Sequence, residues 1–145
     1  MTPFPHMPME GIGFTVRGIP APQGSKRHVG KGVMVESSKK VQPWRQDVRH
    51  AAVDAMNGHL PFEGPLEVVV TFTLPKPKTV KRLLPSVRPD LDKLLRSTLD
   101  ALGSAGVYGD DSQVVHVAVW KVYGIIPGAG IIVRVYHPTA EQVAA

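Results

Sequence analysis

The nine residues Leu66-Glu-Val-Val-Val-Thr-Phe-Thr-Leu74 constrain this chain more than any other stretch. β-Branched and aromatic side chains fill the run, Gly64-Pro65 precedes it and Pro75 closes it, which predicts a strand with fixed ends. A strand needs a partner, and Gln113 to Tyr123 supplies one. It carries Val115, Val117 and Val119 on one face and Val114, Ala118 and Trp120 on the other. A strand apolar on both faces predicts a central place in its sheet. Between the two runs, Leu91, Leu94, Leu95, Leu99 and Leu102 fall within one sector of a helical wheel, predicting a helix over about Asp92–Leu102. A helix joining two strands of one sheet is a crossover, which makes a parallel pair the expectation.

The remaining elements read less sharply. Phe14 to Ile19 alternates as a strand does, Pro20 to His28 is rich in turn formers, and Val33 to Val35 offers a short strand. Pro43 cannot occupy a helix interior, so a second helix starts near it and runs to about Met56 on Trp44, Val48, Ala51, Ala52 and Ala55. Ser37 or Ser38 is a candidate cap, and Asn57-Gly58 ends the helix. Pro127-Gly128-Ala129-Gly130 turns into a last strand, Ile131 to Tyr136. The order implies a single α+β domain with a mixed β-sheet of about four to five strands and two main helices packed on one face. Its expected span is residues 12–138, between a flexible, proline-rich leader (1–11) and a flexible tail (139–145).

Across 145 residues the formal charge is +5 and the pI about 9.7, so an anionic partner is favoured. Without cysteine there are no disulfides, thiolate metal sites or cysteine nucleophiles. No signal-peptide pattern and no membrane-length apolar run stands out, so the expected setting is cytoplasmic, with no membrane partner.

Chemistry concentrates in two acid pairs. Asp90-Leu-Asp92 opens the leucine-striped helix, and Asp110-Asp111 follows it in a glycine-flanked turn. A lone aspartate after proline is most often an N-cap, and Asp-Asp beside glycine is common turn chemistry. One cap needs only one carboxylate, however, and the basic run Lys76, Lys78, Lys81, Arg82, Arg88 contains no acid at all. Acids clustered in a basic protein, with His6, His28, His50, His59, His116 and His137 scattered, suit a hard cation with oxygen ligands, Mg²⁺ or Mn²⁺. Such an ion serves phosphodiester cleavage, with Lys93 or Arg96 as the accompanying cation. Arg96 also pairs at helical spacing with Asp92, while Lys93 and Asp100 are expected on the outer face.

The block from Arg88 to Lys121, with its Asp-Leu-Asp start, Asp-Ala-Leu helix end and Asp-Asp-Ser-Gln-Val-Val turn, closely resembles the RusA-like Holliday-junction resolvases. Weaker similarity extends to Pro20–Arg27, Trp44–Val48 and Leu74-Pro-Lys-Pro. The resemblance implies catalytic, metal-binding carboxylates at Asp90, Asp92 and Asp111, with Asp110 beside them. It also implies a homodimer that needs Mg²⁺ or Mn²⁺, no small-molecule cofactor, and paired nicks in four-way DNA junctions. The family's helix lysine is Arg96 here, which keeps charge but not shape, and its asparagine after the second aspartate is Lys93. Lys121 matches a strand lysine and contacts phosphate or simply ends the strand. Lys26 and Arg27, with the basic loop from Lys76 to Arg88, would grip the DNA backbone. Two alternatives stay open: a non-catalytic DNA-binding module, and an RNA-processing nuclease.

Overall fold

Along the chain the elements are β1 (Gly11–Arg17), β2 (Lys26–His28), β3 (Met34–Glu36), α1 (Val41–Met56), β4 (Leu66–Leu74), α2 (Leu91–Ser104), β5 (Val114–Tyr123), β6 (Gly128–Val135) and α3 (Ala140–Ala144). They come from a computed structural model that describes residues 10–24, 26–28, 34–36 and 39–145, the two short segments by backbone alone. Four strands form one sheet in the order β1-β6-β4-β5, and β2 pairs with β3 in a separate ladder. β4 and β5 run parallel, joined by the crossover through α2, while β6 is antiparallel to both β1 and β4. The fold is α+β, with a mixed sheet and two main helices.

Period-two alternation builds the core. Leu66, Val68, Val70, Phe72 and Leu74 of β4 are all buried, and the residues between them are half-exposed. The buried face meets Trp44, Val48, Ala52 and Met56 of α1 and Leu94, Ala101 and Leu102 of α2. The Trp44 and Phe72 rings lie 6.3 Å apart at 57°, a tilted contact within the favourable aromatic range.

β5 is an edge strand, not a central one, and β6 and β4 occupy the middle of the sheet. The apolar alternation misled because much of the apolar surface of β5 is open: Trp120 is 53% exposed and Val115 57%. An uncovered apolar face looks the same in sequence as a covered one.

The buried stripe of α2 is also rotated from the leucines. Leu94, Ser97, Thr98, Ala101 and Leu102 are buried, with Leu91, Leu95 and Leu99 flanking them. Two hydroxyls at the centre of a core face need partners. The Ser97 hydroxyl lies 2.7 Å from the Ala21 carbonyl and 3.0 Å from that of Leu94. The Thr98 hydroxyl bonds the Leu94 carbonyl at 2.9 Å and accepts from the Trp44 indole at 3.2 Å. These bonds fix α2 against both α1 and the loop after β1.

Element ends shift for local reasons. Helix α1 begins at Val41, which leaves Pro43 in the first turn, where a missing N–H costs no intrahelical bond. Lys40 occupies the cap position without a side-chain bond; Ser37 and Ser38 lie outside the described residues, as do residues 1–9 of the expected leader. β6 starts at Gly128, absorbing the expected turn. There φ is +159° and a side chain would collide with the Val16 carbonyl, so glycine lets β1 approach. Residues Ala140–Ala144 form a short helix with a Thr139/Gln142 capping box, where sequence suggested a frayed tail. Among the described residues no helix is long and apolar enough to cross a membrane.

Candidate active site

Asp90 stands at the cap position of α2 in extended conformation, yet its side chain makes no cap hydrogen bond. The backbone does that work: its carbonyl accepts from the Leu94 N–H at 3.1 Å. The carboxylate is left facing Lys93, 3.8 Å away, at the mouth of a cleft of about 740 Å³. Asp92, in the first turn, is exposed and forms no ion pair among the described residues.

The loop before α2 is held by charge. Lys121, half-buried on β5, donates from Nζ to the carbonyls of Val87 at 2.7 Å and Pro89 at 2.8 Å. An ammonium bonded to two carbonyls braces the backbone that presents Asp90. Arg82 Nε donates to the Tyr123 hydroxyl at 3.1 Å, and Lys76 Nζ sits 5.8 Å from the centre of the Tyr123 ring. Lys78, Lys81 and Arg88 are exposed along the same loop. Lys26 and Arg27 lie on β2, with backbone pairing to Glu36 and Val35.

The second acid pair belongs to a 3₁₀ turn, Asp111–Gln113. Asp110 caps it by accepting from the Ser112 N–H at 2.9 Å, which holds its carboxyl below the usual range. The Gln113 amide is fully used. Its oxygen accepts from the N–H groups of Gly109 and Asp110, and its nitrogen donates at 3.0 Å to each of the Phe62 and Gly64 carbonyls. Asp111 is displaced in the other direction from its neighbour. Desolvation raises its pKa, Asp110 adds to this through a shared hydrogen bond and its charge, and Asp100 adds a little more; Arg96 pulls it back. Beneath the turn, buried Tyr108 donates its hydroxyl to the Leu99 carbonyl at 2.5 Å, and burial pushes the phenol pKa well above its ordinary value.

The two pairs flank α2 in sequence, Asp90 just before it and Asp111 after the loop that returns from its end. Asp111 follows that helix, and the charges it feels from α2 are Asp100 and Arg96. The candidate cations divide accordingly, Lys93 beside Asp90 and Arg96 toward Asp111. Asp100 itself pairs with Arg45 at 3.2 Å, tying α2 to α1. Among the described residues, no three acidic or histidine side chains are close enough together to hold a metal ion.

Sequence reasoning missed the roles of Gln113 and Tyr123, and named Lys121 without its bracing role. Gln113 had a signal, since Asp110-Asp111-Ser112-Gln113 follows the spacing of a capping box. Lys121 bracing a loop had none, because it reaches 34 residues back along the chain. Tyr123, at the end of β5, had none either.

The family model for the endodeoxyribonuclease RusA matches residues 17–136. The chain belongs to the RusA endodeoxyribonuclease family. The matched span takes in three of the four strands of the sheet, β4, β5 and β6, with both acid pairs, the basic loop and Lys121. A relative from Bacillus subtilis (strain 168), the uncharacterized protein YqaN, is 32% identical over 144 residues, covering 87% of this chain and 97% of its own.

Proposed function

We propose that this RusA-family chain is a divalent-metal-dependent nuclease that resolves four-way DNA junctions by paired symmetric nicks, working as a homodimer in recombination or repair. One observation carries the chemistry: Asp90 holds the cap position of α2 with its carboxylate uncommitted to capping, in a cleft with cations among its lining residues. Asp90, Asp92 and Asp111, with Asp110 adjacent, are oxygen donors of the kind Mg²⁺ or Mn²⁺ prefers, and the side chains of Asp90, Asp92 and Asp111 are exposed. A bound ion would activate water and offset charge at the phosphoryl group. Lys93 would steady added negative charge beside Asp90, and Arg96 beside Asp111. The basic loop and Lys26 and Arg27 would hold the DNA by its phosphates.

Because no three acids come together among the described residues of one chain, a dimer gains a chemical purpose. An isologous interface can set Asp90 and Asp92 of one copy beside Asp111 of the other, twice over. Trp120 and Ile132, both exposed on the sheet, support a surface that a second copy covers.

Cleavage of a four-way junction with and without Mg²⁺ tests the activity. Mixing Asp90→Asn with Asp111→Asn chains tests the arrangement. If sites span two copies, the mixed dimer keeps one intact site and nicks one strand. If each site lies within one chain, the mixed dimer is inert. The lack of such a cluster among the described residues also favours one rival, a DNA-binding module without catalysis. Junction binding with no cut in either Mg²⁺ or Mn²⁺ would establish that rival.

A further inference from the structure

The cleft at Asp90 is larger than a phosphate and an ion require. It holds about 740 Å³, within the roughly 300–1,000 Å³ usual for small-molecule sites. Six prolines line it, together with Ile19, Val87 and the side chain of Tyr123. Proline carries no N–H, so these walls offer apolar surface with few hydrogen-bond donors. Among the described residues that line it, four cations, Arg82, Arg88 and Lys93 among them, stand against the single carboxylate of Asp90. The Tyr123 ring is oriented by its bond from Arg82 at 3.1 Å. A cleft lined by prolines, an aromatic ring and an excess of cations matches a planar, uncharged body attached to an anion.

The geometry points to an unstacked nucleotide as the occupant, one neighbouring the phosphate that the Asp90 end of the site would cut. This rests on the nuclease proposed above and adds to it. Phosphate alone would use the cations and leave the prolines, Ile19 and the Tyr123 ring uncovered. A base within a duplex cannot enter, because its faces are covered by its neighbours. At a branch point unstacking costs least, and that cost, a few kcal/mol in general, favours branched over continuous DNA. Stacking on Tyr123 tolerates any base, while the recess shape limits which ones fit. The cleft thus links the choice of structure to the choice of cleavage position.

Two experiments test the assignment with the full chain. In the first, deoxycytidine and thymidine 5′-monophosphates are titrated against the protein by NMR, beside inorganic phosphate. Nucleotide-specific amide shifts clustered at Ile19, Val87 and Tyr123 are expected, weakened at least about fivefold in Tyr123→Ala. Ile19→Trp, at an exposed position on the cleft wall, should abolish them while leaving the rest of the spectrum unchanged. Shifts identical for phosphate and nucleotide, or none, overturn the assignment. In the second, the Asp111→Asn chain binds four-way junctions carrying 2-aminopurine at single positions around the cut. A several-fold fluorescence change at one flanking position, lost in Ile19→Trp, supports the cleft. A junction that is bound, and cut by the unmodified chain, without such a change removes the cleft and leaves the nuclease standing. Nucleotide-specific shifts in a chain that never cuts keep the cleft and remove the nuclease.

Discussion

The segments before and after α2 carry acids in opposite mechanical settings. In the segment after it, Asp110 and Asp111 sit in a turn pinned by Gln113, whose amide oxygen and nitrogen are both fully engaged with backbone. In the segment before it, Asp90 rides on a proline-rich loop bonded by the Lys121 amine and by Arg82 to Tyr123. One segment is fastened locally, through a side chain three residues from the acid it positions. The other is fastened from across the sheet.

The contrast is broken most forcefully at the carboxylates. Asp90→Asn and Asp111→Asn should each lower junction cleavage by on the order of 10³-fold, since metal-borne charge stabilisation is worth several kcal/mol. Junction binding, followed by gel shift, should survive both. Asp110→Asn should cut cleavage far less, because its carboxylate is spent on the Ser112 N–H. Equal losses at Asp110 and Asp111 would erase the distinction between cap and ligand.

Next comes the fastening itself. Gln113→Ala leaves four backbone groups without their partner and should cost about 2 kcal/mol in denaturant unfolding. Lys121→Met should cost about 1.5 kcal/mol and depress the cleavage rate more than junction affinity. It should leave the salt dependence of binding unchanged. A lysine that instead contacts phosphate would reduce the salt slope by roughly one when removed, so the slope separates brace from contact.

The smallest effect lies on the sheet, away from both segments. Arg134 bonds Glu67 and holds its carboxyl below the ordinary value of 4.5, with His116 assisting at 3.1 Å. A depressed acid stabilises the fold above its unfolded pKa and loses that contribution as pH falls through the folded one. Glu67→Gln should therefore reduce stability at pH 7 and flatten the acid limb of the stability profile below about 4.5. An unchanged acid limb would show that the pair contributes nothing.

Much of this architecture was legible in the sequence. β4 was read residue for residue because β-branched side chains and flanking prolines leave no other choice, and the crossover helix made its parallel partner β5 readable too. The place of β5 was not, since period-two patterning reports which faces are apolar and not which are covered. The stripe of α2 was off by about a sixth of a turn for a related reason: Ser97 and Thr98 look like surface residues until Ala21 and Trp44 supply their partners. At the site, the acids and cations were visible as residue types. The division that sets Lys93 beside Asp90 and Arg96 toward Asp111 was not, because adjacency in sequence says little about a connection that doubles back.

That crossover has a consequence for assembly. Asp90, Asp92 and Asp111 all lie between β4 and β5, in the connection that must close before those strands can pair. Parallel pairing across such a connection is non-local and among the slower events in folding. Both acid pairs, and the lysine that steadies one of them, therefore reach their positions only when the sheet is completed. A chain caught partway would have its cations and its carboxylates but not their arrangement, so the ability to cut DNA would arrive last, together with the finished fold.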